Sequence, residues 1–258
     1  MTDACYYREI GDEVASFRAA YAAGLPVLLK GPTGCGKSRL VEAMARQLER
    51  PLVTVACSDE TSAADLLGRW LIRGGDTVWQ DGPATRAVQA GAVLYLDEVA
   101  EAREDVIVVL HPLADHRRTL YVDRLDRAIA AAPGFALVAS YNPGYRHGLR
   151  DLKASTRQRF VAIELGYPSE AVEAEIVAAE TGVAPALARK LVALASKIRG
   201  LDVAGLIETA STRLLVHAAA LIQGGVPPRR AAAIAIAGPI TDDADSARGL
   251  RDLIDLSL

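Results

Sequence analysis

The stretch Gly31-Pro32-Thr33-Gly34-Cys35-Gly36-Lys37-Ser38 fits G-x-x-x-x-G-K-[ST], the loop that holds phosphate groups in nucleotide hydrolases. Its glycines let backbone N–H groups turn inward and meet phosphate oxygens with no Cβ in the way. Lys37 offers a point charge to the β- and γ-phosphates, and the Ser38 hydroxyl can ligate Mg²⁺. The flanks agree with that reading. Leu25–Lys30 is a short apolar run that reads as a buried strand, and Ser38 to Leu48 places Leu40, Val41, Met44, Ala45 and Leu48 at a helical period. Strand, glycine-rich turn and helix N-terminus together make an anion site. The loop from Gly31 to Ser38, with Arg39 next to it, is the candidate binding site for ATP.

Outward from the loop, short apolar runs alternate with helical stretches as far as about Leu165, the pattern of a parallel sheet covered by helices. The strands are expected at Pro26–Lys30, Leu52–Cys57, Val93–Asp97, Phe135–Ser140 and Val161–Leu165. This makes a five-stranded α/β domain over 1–165. From Gly166 the character changes. Ser169–Glu180, Pro185–Arg199, Ser211–Gln223 and Pro227–Ala237 read as helices punctuated by Gly and Pro, which implies a small all-helical domain over 166–258. Two stretches interrupt the α/β rhythm. Trp70 to Trp79 reads as two short strands about Gly74-Gly75, a hairpin near 69–80; a second hairpin is expected near 118–131. The first exposes the two tryptophans of the chain.

Composition excludes several classes. The 258 residues carry a formal net charge of −3, so no general affinity for nucleic acid is implied. Aromatic residues are only 5%, which favours helix-rich architecture over sandwiches and barrels. No apolar run approaches the ~18 residues of a membrane span; the alanine-rich stretch at Arg229–Ile240 is short and is closed by Pro239. The N-terminus lacks the basic and apolar regions of a signal peptide, and Cys5, Cys35 and Cys57 form no metal-spaced set, so a reducing cytoplasm is expected. The four histidines, His111, His116, His147 and His217, share no ligand spacing and read as ordinary polar positions; His147 is the one near enough to Asn142 to test.

Two further elements complete a catalytic site. Ala92-Val93-Leu94-Tyr95-Leu96-Asp97-Glu98 is an apolar strand ending in two carboxylates. Asp97 is the Mg²⁺-side acid and Glu98 the candidate general base for an attacking water. Phe135 to Ser140 leads through Tyr141 to Asn142, with Pro143 blocking a helix there. A neutral amide at Asn142 can bond both a γ-phosphate and the water without adding negative charge.

Taken in that order, these elements resemble an AAA+ ATPase. The resemblance implies that Asn142 is the sensor 1 residue. It implies that Ser155-Thr156-Arg157-Gln158-Arg159-Phe160 is the arginine-finger segment, with Arg159 first choice and Arg157 close behind. It further implies that Ala210-Ser211-Thr212-Arg213-Leu214 is the sensor 2 segment, whose Arg213 reaches the nucleotide. The two hairpins resemble the MoxR clade. Val55–Glu60, Asp65–Trp70 and Tyr141–Tyr145 are similar to the CbbQ/NirQ/NorQ family, the likeness spanning essentially the whole chain. Membership would imply a ring, usually of six subunits, working with a von Willebrand factor A domain partner to activate a metabolic enzyme. The expected client is Rubisco, freed of inhibitory sugar phosphates; the alternative is nitric oxide reductase. One departure stands out. The first hairpin carries Trp70 and Trp79 beside Arg69, Arg73 and Asp76 instead of the aromatic–hydrophobic pair of threading unfoldases, which fits local remodelling better than threading. A P-loop kinase for a small molecule and a nucleotide-switched binding module are the competing readings. The downstream helices, the Arg-x-Arg segment and the adjacent Asp-Glu pair argue against the kinase.

Overall fold

Five apolar runs pair in parallel into one sheet in the computed structural model, which describes residues 6–143, 152–201 and 209–258. In chain order its strands are β1 (Val27–Lys30), β2 (Leu52–Ala56), β5 (Val93–Asp97), β8 (Ala136–Tyr141) and β9 (Val161–Glu164). β3 (Gly68–Arg73) with β4 (Asp76–Asp81), and β6 (Thr119–Val122) with β7 (Arg127–Ala130), form two antiparallel hairpins. The spatial order of the sheet is β2-β5-β8-β1-β9. The three central strands are buried almost throughout, whereas the two edge strands are partly exposed. Continuous apolar runs therefore mark the centre, as expected for strands covered on both faces.

Strand order decides where the chemistry converges. β8 pairs with β5 on one side and β1 on the other, with Leu96 opposite Ala139 and Lys30 opposite Tyr141. Because the strands are parallel, the chain leaves all three at the same edge. The phosphate loop, the Asp97-Glu98 pair and Asn142 thus begin side by side, at the carboxyl ends where open α/β sheets bind their ligands.

The described residues divide into two units. The sheet unit comprises Gly11–Gly31 and Lys37–Leu165. The helical unit comprises Gly166–Leu258 together with Pro32–Gly36 and the described part of Met1–Ile10. The division falls at 165/166 as the sequence suggests, and two further stretches group with the helices. The tip of the phosphate loop packs with the helices through tertiary contacts that no local pattern announces, and so does the stretch ending at Ile10.

Helices the sequence pattern leaves unassigned also appear. Glu104–Ala114 is helical despite Pro112, whose interior position costs about 3 kcal/mol. Val106, Leu110 and Leu113 are buried on its inner face, and burying each is worth roughly 1.5–3 kcal/mol, so packing wins. Glu13–Ala22 and Ala244–Ser257 are likewise helical.

The alanine-rich stretch closes at Ile240, one residue past Pro239, and the helix runs three residues beyond the expected end at Ala237. Helical backbone runs from Pro228 to Ile240, passing through a π turn at Ala233–Ala237. Gly238 N–H bonds the Ala233 carbonyl, five residues back. Proline cannot donate, and its ring crowds the carbonyl four residues earlier; a widened turn just ahead of it relieves both demands.

The helical unit is pinned by one buried ion pair. Glu173 is fully buried and meets Arg199 through two hydrogen bonds, Nη1–Oε2 at 2.8 Å and Nη2–Oε1 at 2.7 Å. Thr212 Oγ1 donates to Glu173 Oε1 at 2.6 Å. Arg199→Met would strand that carboxylate without its cation, and breaking a buried pair from one side costs about 3–5 kcal/mol. Chemical denaturation should show a loss of that size; a change under about 1 kcal/mol, the range of surface pairs, would contradict the buried pairing.

Candidate active site

The helix Lys37–Gln47 starts at the phosphate loop and buries Leu40, Val41, Met44 and Ala45 against the sheet. That packing fixes the helix N-terminus, the positive end of its dipole, at the residue where the loop motif ends. Lys37 Nζ donates to the Gly31 carbonyl at 2.8 Å, folding the lysine back over the loop. Gly34 has φ +70°, and a Cβ there would fall 2.7 Å from Ser211 Oγ and 3.2 Å from the Arg213 Cβ. Only glycine suits that position on both counts.

Ser38 and Asp97, the two residues assigned to Mg²⁺, are brought together: Ser38 Oγ donates to Asp97 Oδ2 at 3.3 Å. A hydroxyl and a carboxylate side by side are hard oxygen donors, and Mg²⁺ characteristically takes one or two such ligands plus phosphate oxygens and waters. The donor set fits that ion. Glu98 follows in the left-handed region, φ 55° and ψ 47°, and is exposed. A non-glycine residue held there is uncommon and points to a constrained role.

Two residues that the motif reading passes over hold this corner in place. Tyr95 and Ser140 are buried; Tyr95 lies two positions before Asp97 on β5, and Ser140 two positions before Asn142, which follows the end of β8. Ser140 Oγ donates to Asp97 Oδ1 at 2.6 Å and accepts from the Glu98 backbone N–H at 3.2 Å. Tyr95 OH donates to the same Asp97 oxygen at 2.7 Å and lies 3.3 Å from Ser38 Oγ. Burial raises the Tyr95 phenol well above its ordinary pKa, so it remains a donor. The available signal is the strand period of two, which puts Tyr95 with Asp97 and Ser140 with Asn142 on one face. Ser140→Ala should lower turnover about 10- to 100-fold and raise the Mg²⁺ concentration needed for half-maximal rate, as loss of an outer-shell partner does. A magnesium titration of phosphate release checks it; an unchanged profile refutes the bracing role.

Other assigned residues are placed as follows. Asn142 is half-buried at the end of β8; His147 lies outside the described residues. Arg39 pairs with Glu42 at 3.3 Å on the helix surface. Arg157 ends the short helix Ala154–Arg157, and Arg159, in the turn just after it, donates to the Ser155 carbonyl. His111 is more than an ordinary polar position. Its Nε2 lies 3.1 Å from Thr156 Oγ1, so the helix Glu104–Ala114 braces the segment carrying both arginines. Burial, and then the positive charge of Arg159, lower the His111 pKa. Burial, with the carboxylates of Asp97 and Glu98 adding to it, pushes the Cys57 thiol up to about 12, which leaves it unreactive at neutral pH.

Residues 26–160 match the model of the AAA domain, dynein-related subfamily, and residues 173–257 match the CbbQ/NirQ/NorQ C-terminal model. Protein NorQ of Paracoccus denitrificans is 61% identical over 97% of this chain and 93% of its own length. The chain belongs to the CbbQ/NirQ/NorQ family of AAA+ ATPases. Protein CbbQ of Hydrogenophilus thermoluteolus is 54% identical over 95% of this chain and 92% of its own. A RuvB mutant from Thermotoga maritima shares the fold at TM-score 0.58 with 18% identity, covering 96% of this chain and 71% of that one. As a member of this family the chain is an ATP hydrolase. Among the described residues, no helix is long and apolar enough to cross a membrane.

Proposed function

We propose that this family member is a ring-forming remodelling ATPase whose hydrolytic site is completed by a neighbouring subunit. The observation that supports the reading is the Ser38–Asp97 contact beside the exposed Glu98, where β5 ends next to β8 and β1. In this reading Gly31 to Ser38 wrap the triphosphate and Lys37 neutralises its terminal phosphates. Ser38 and Asp97 hold Mg²⁺, which would supply charge neutralisation at the β- and γ-oxygens. Glu98 takes the proton of the attacking water, Asn142 orients that water against the γ-phosphate, and Arg159 or Arg157 arrives from the adjacent subunit. Arg213 adds a further cation for the nucleotide.

The partner is a von Willebrand factor A domain protein, and a homo-hexamer is the assembly expected. Of the two clients, nitric oxide reductase is favoured, because identity to NorQ is 61% against 54% for CbbQ. Two measurements test this. Phosphate release per subunit should rise with protein concentration; a constant specific rate overturns the shared site. Co-expression with the partner and nitric oxide reductase should yield active reductase only with the wild-type chain. ATP-dependent reactivation of sugar-phosphate-inhibited Rubisco, with no effect on the reductase, would transfer the function to the other client.

A further inference from the structure

The buried pair of the helical unit ends on the phosphate loop. The Arg199 guanidinium, held by Glu173, lies over the Tyr167 ring, 4.0 Å from its centroid. Tyr167 OH donates to the Thr33 carbonyl of the loop at 3.0 Å. On its remaining side Arg199 Nε donates to the Ala210 carbonyl at 2.7 Å. The next residue, Ser211, caps the helix Thr212–Gln223 by accepting from Leu214 N, and its side chain backs onto Gly34. Thr33 and Gly34 share one peptide bond. Tyr167 holds the carbonyl of that bond and Ser211 closes off the space behind its glycine, and both supports trace back to Arg199.

We propose that Tyr167, with Arg199 and Glu173 behind it, is a positioning residue for nucleotide binding: it sets the Thr33–Gly34 peptide and ties occupancy of the loop to the start of the Arg213 helix. A trans peptide is planar, with its carbonyl and N–H pointing opposite ways, so fixing the Thr33 carbonyl fixes the direction of the Gly34 amide. That amide is one of those the loop offers to a phosphate. Burial raises the Tyr167 pKa to about 12, so the proton it donates is present throughout the neutral range. Stacking on the guanidinium holds the ring, and the two-point Glu173–Arg199 pair holds the guanidinium. Coupling of this kind is reciprocal. If the fastened loop binds nucleotide better, bound nucleotide strengthens the fastening by the same factor. The inference rests on the nucleotide site proposed above, but not on hydrolysis.

Tyr167→Phe is the discriminating variant, because it keeps the stacked ring and removes only the donor. Titration of the full chain with fluorescent ADP should show a Kd raised about fivefold, the size of one lost hydrogen bond. KM for ATP should rise in step, with kcat within about twofold, the signature of lost uniform binding. The nucleotide-free Tm should fall by no more than about 4 °C, the shift that one lost hydrogen bond allows. Arg199→Lys, which keeps the charge but loses the fork and the stack, should weaken binding in the same direction. An unchanged Kd in Tyr167→Phe overturns the proposal, as does a lowered Tm with Kd unchanged, which marks a purely structural contact. If the wild-type chain binds the probe but releases no phosphate, the hydrolytic reading fails while the Kd comparison still decides this one. A wild-type chain that binds no nucleotide overturns both.

Discussion

Glu98→Gln will bind ATP as the wild type does and release phosphate some 10²- to 10⁴-fold more slowly, the usual contribution of a positioned general base. The geometry makes the substitution a clean one. Glutamine keeps the length and shape of the side chain, and the backbone that holds Glu98 in the left-handed region, its N–H on Ser140 Oγ, is untouched. Asp97 and Ser38 keep their contact, so the proposed metal corner survives. What disappears is a carboxylate able to accept a proton, at a residue exposed enough to meet a water. Fluorescent-nucleotide binding and phosphate release on the same preparation separate the two effects. Turnover at the wild-type rate would remove Glu98 from the mechanism, and with it the assignment of the Asp97-Glu98 pair.

Arg159→Ala should be as severe, with binding retained and hydrolysis lowered about 10³-fold or more, since an arginine finger stabilises charge that develops only in the transition state. Arg159 is half-buried in the turn after the short helix Ala154–Arg157, on a segment braced by the His111–Thr156 contact. A finger has to be held rigidly to meet a phosphate on another molecule, and that bracing supplies the rigidity. Mixing decides whether it acts between subunits. Arg159→Ala and Glu98→Gln chains are each nearly inactive alone. A mixed assembly contains interfaces where an intact Glu98 meets an intact Arg159, and activity should return there. No recovery on mixing would place the arginine in its own subunit's site. The same pair of experiments with Arg157→Ala tells which of the two is the finger.

Much of the fold was legible in the residues. Apolar runs of four to six residues located the five strands to within one position at each end, as the observed ranges attest. The Gly74-Gly75 turn foretold the first hairpin, whose strands pair Trp70 with Trp79 in a T-shaped contact at 5.3 Å. The helix Glu104–Ala114 escaped because Pro112 is a local stop signal, overruled by a buried face that exists only once the sheet has formed. The π turn before Pro239 escaped for a related reason, since its spacing answers a steric demand within one helix that no periodicity encodes.

For the site, residue type and spacing alone determined which groups can do chemistry. A glycine-rich loop ending in Lys-Ser, an apolar run ending in Asp-Glu and a later run leading to Asn-Pro are chemical statements, legible without coordinates because each depends on neighbours along the chain. Tertiary structure decided what depends on neighbours in space. It placed β5, β8 and β1 side by side, so that Ser38 meets Asp97 across 59 positions of sequence. It turned Tyr95 and Ser140 from strand filler into hydrogen-bond donors to Asp97. It also put Tyr167 against Thr33, 134 residues earlier, moving the tip of the phosphate loop out of the sheet unit and into the helical one. Hydrogen bonds and packing act over a few ångströms of space whatever the distance along the chain, so the motif could be read in advance and its supports could not.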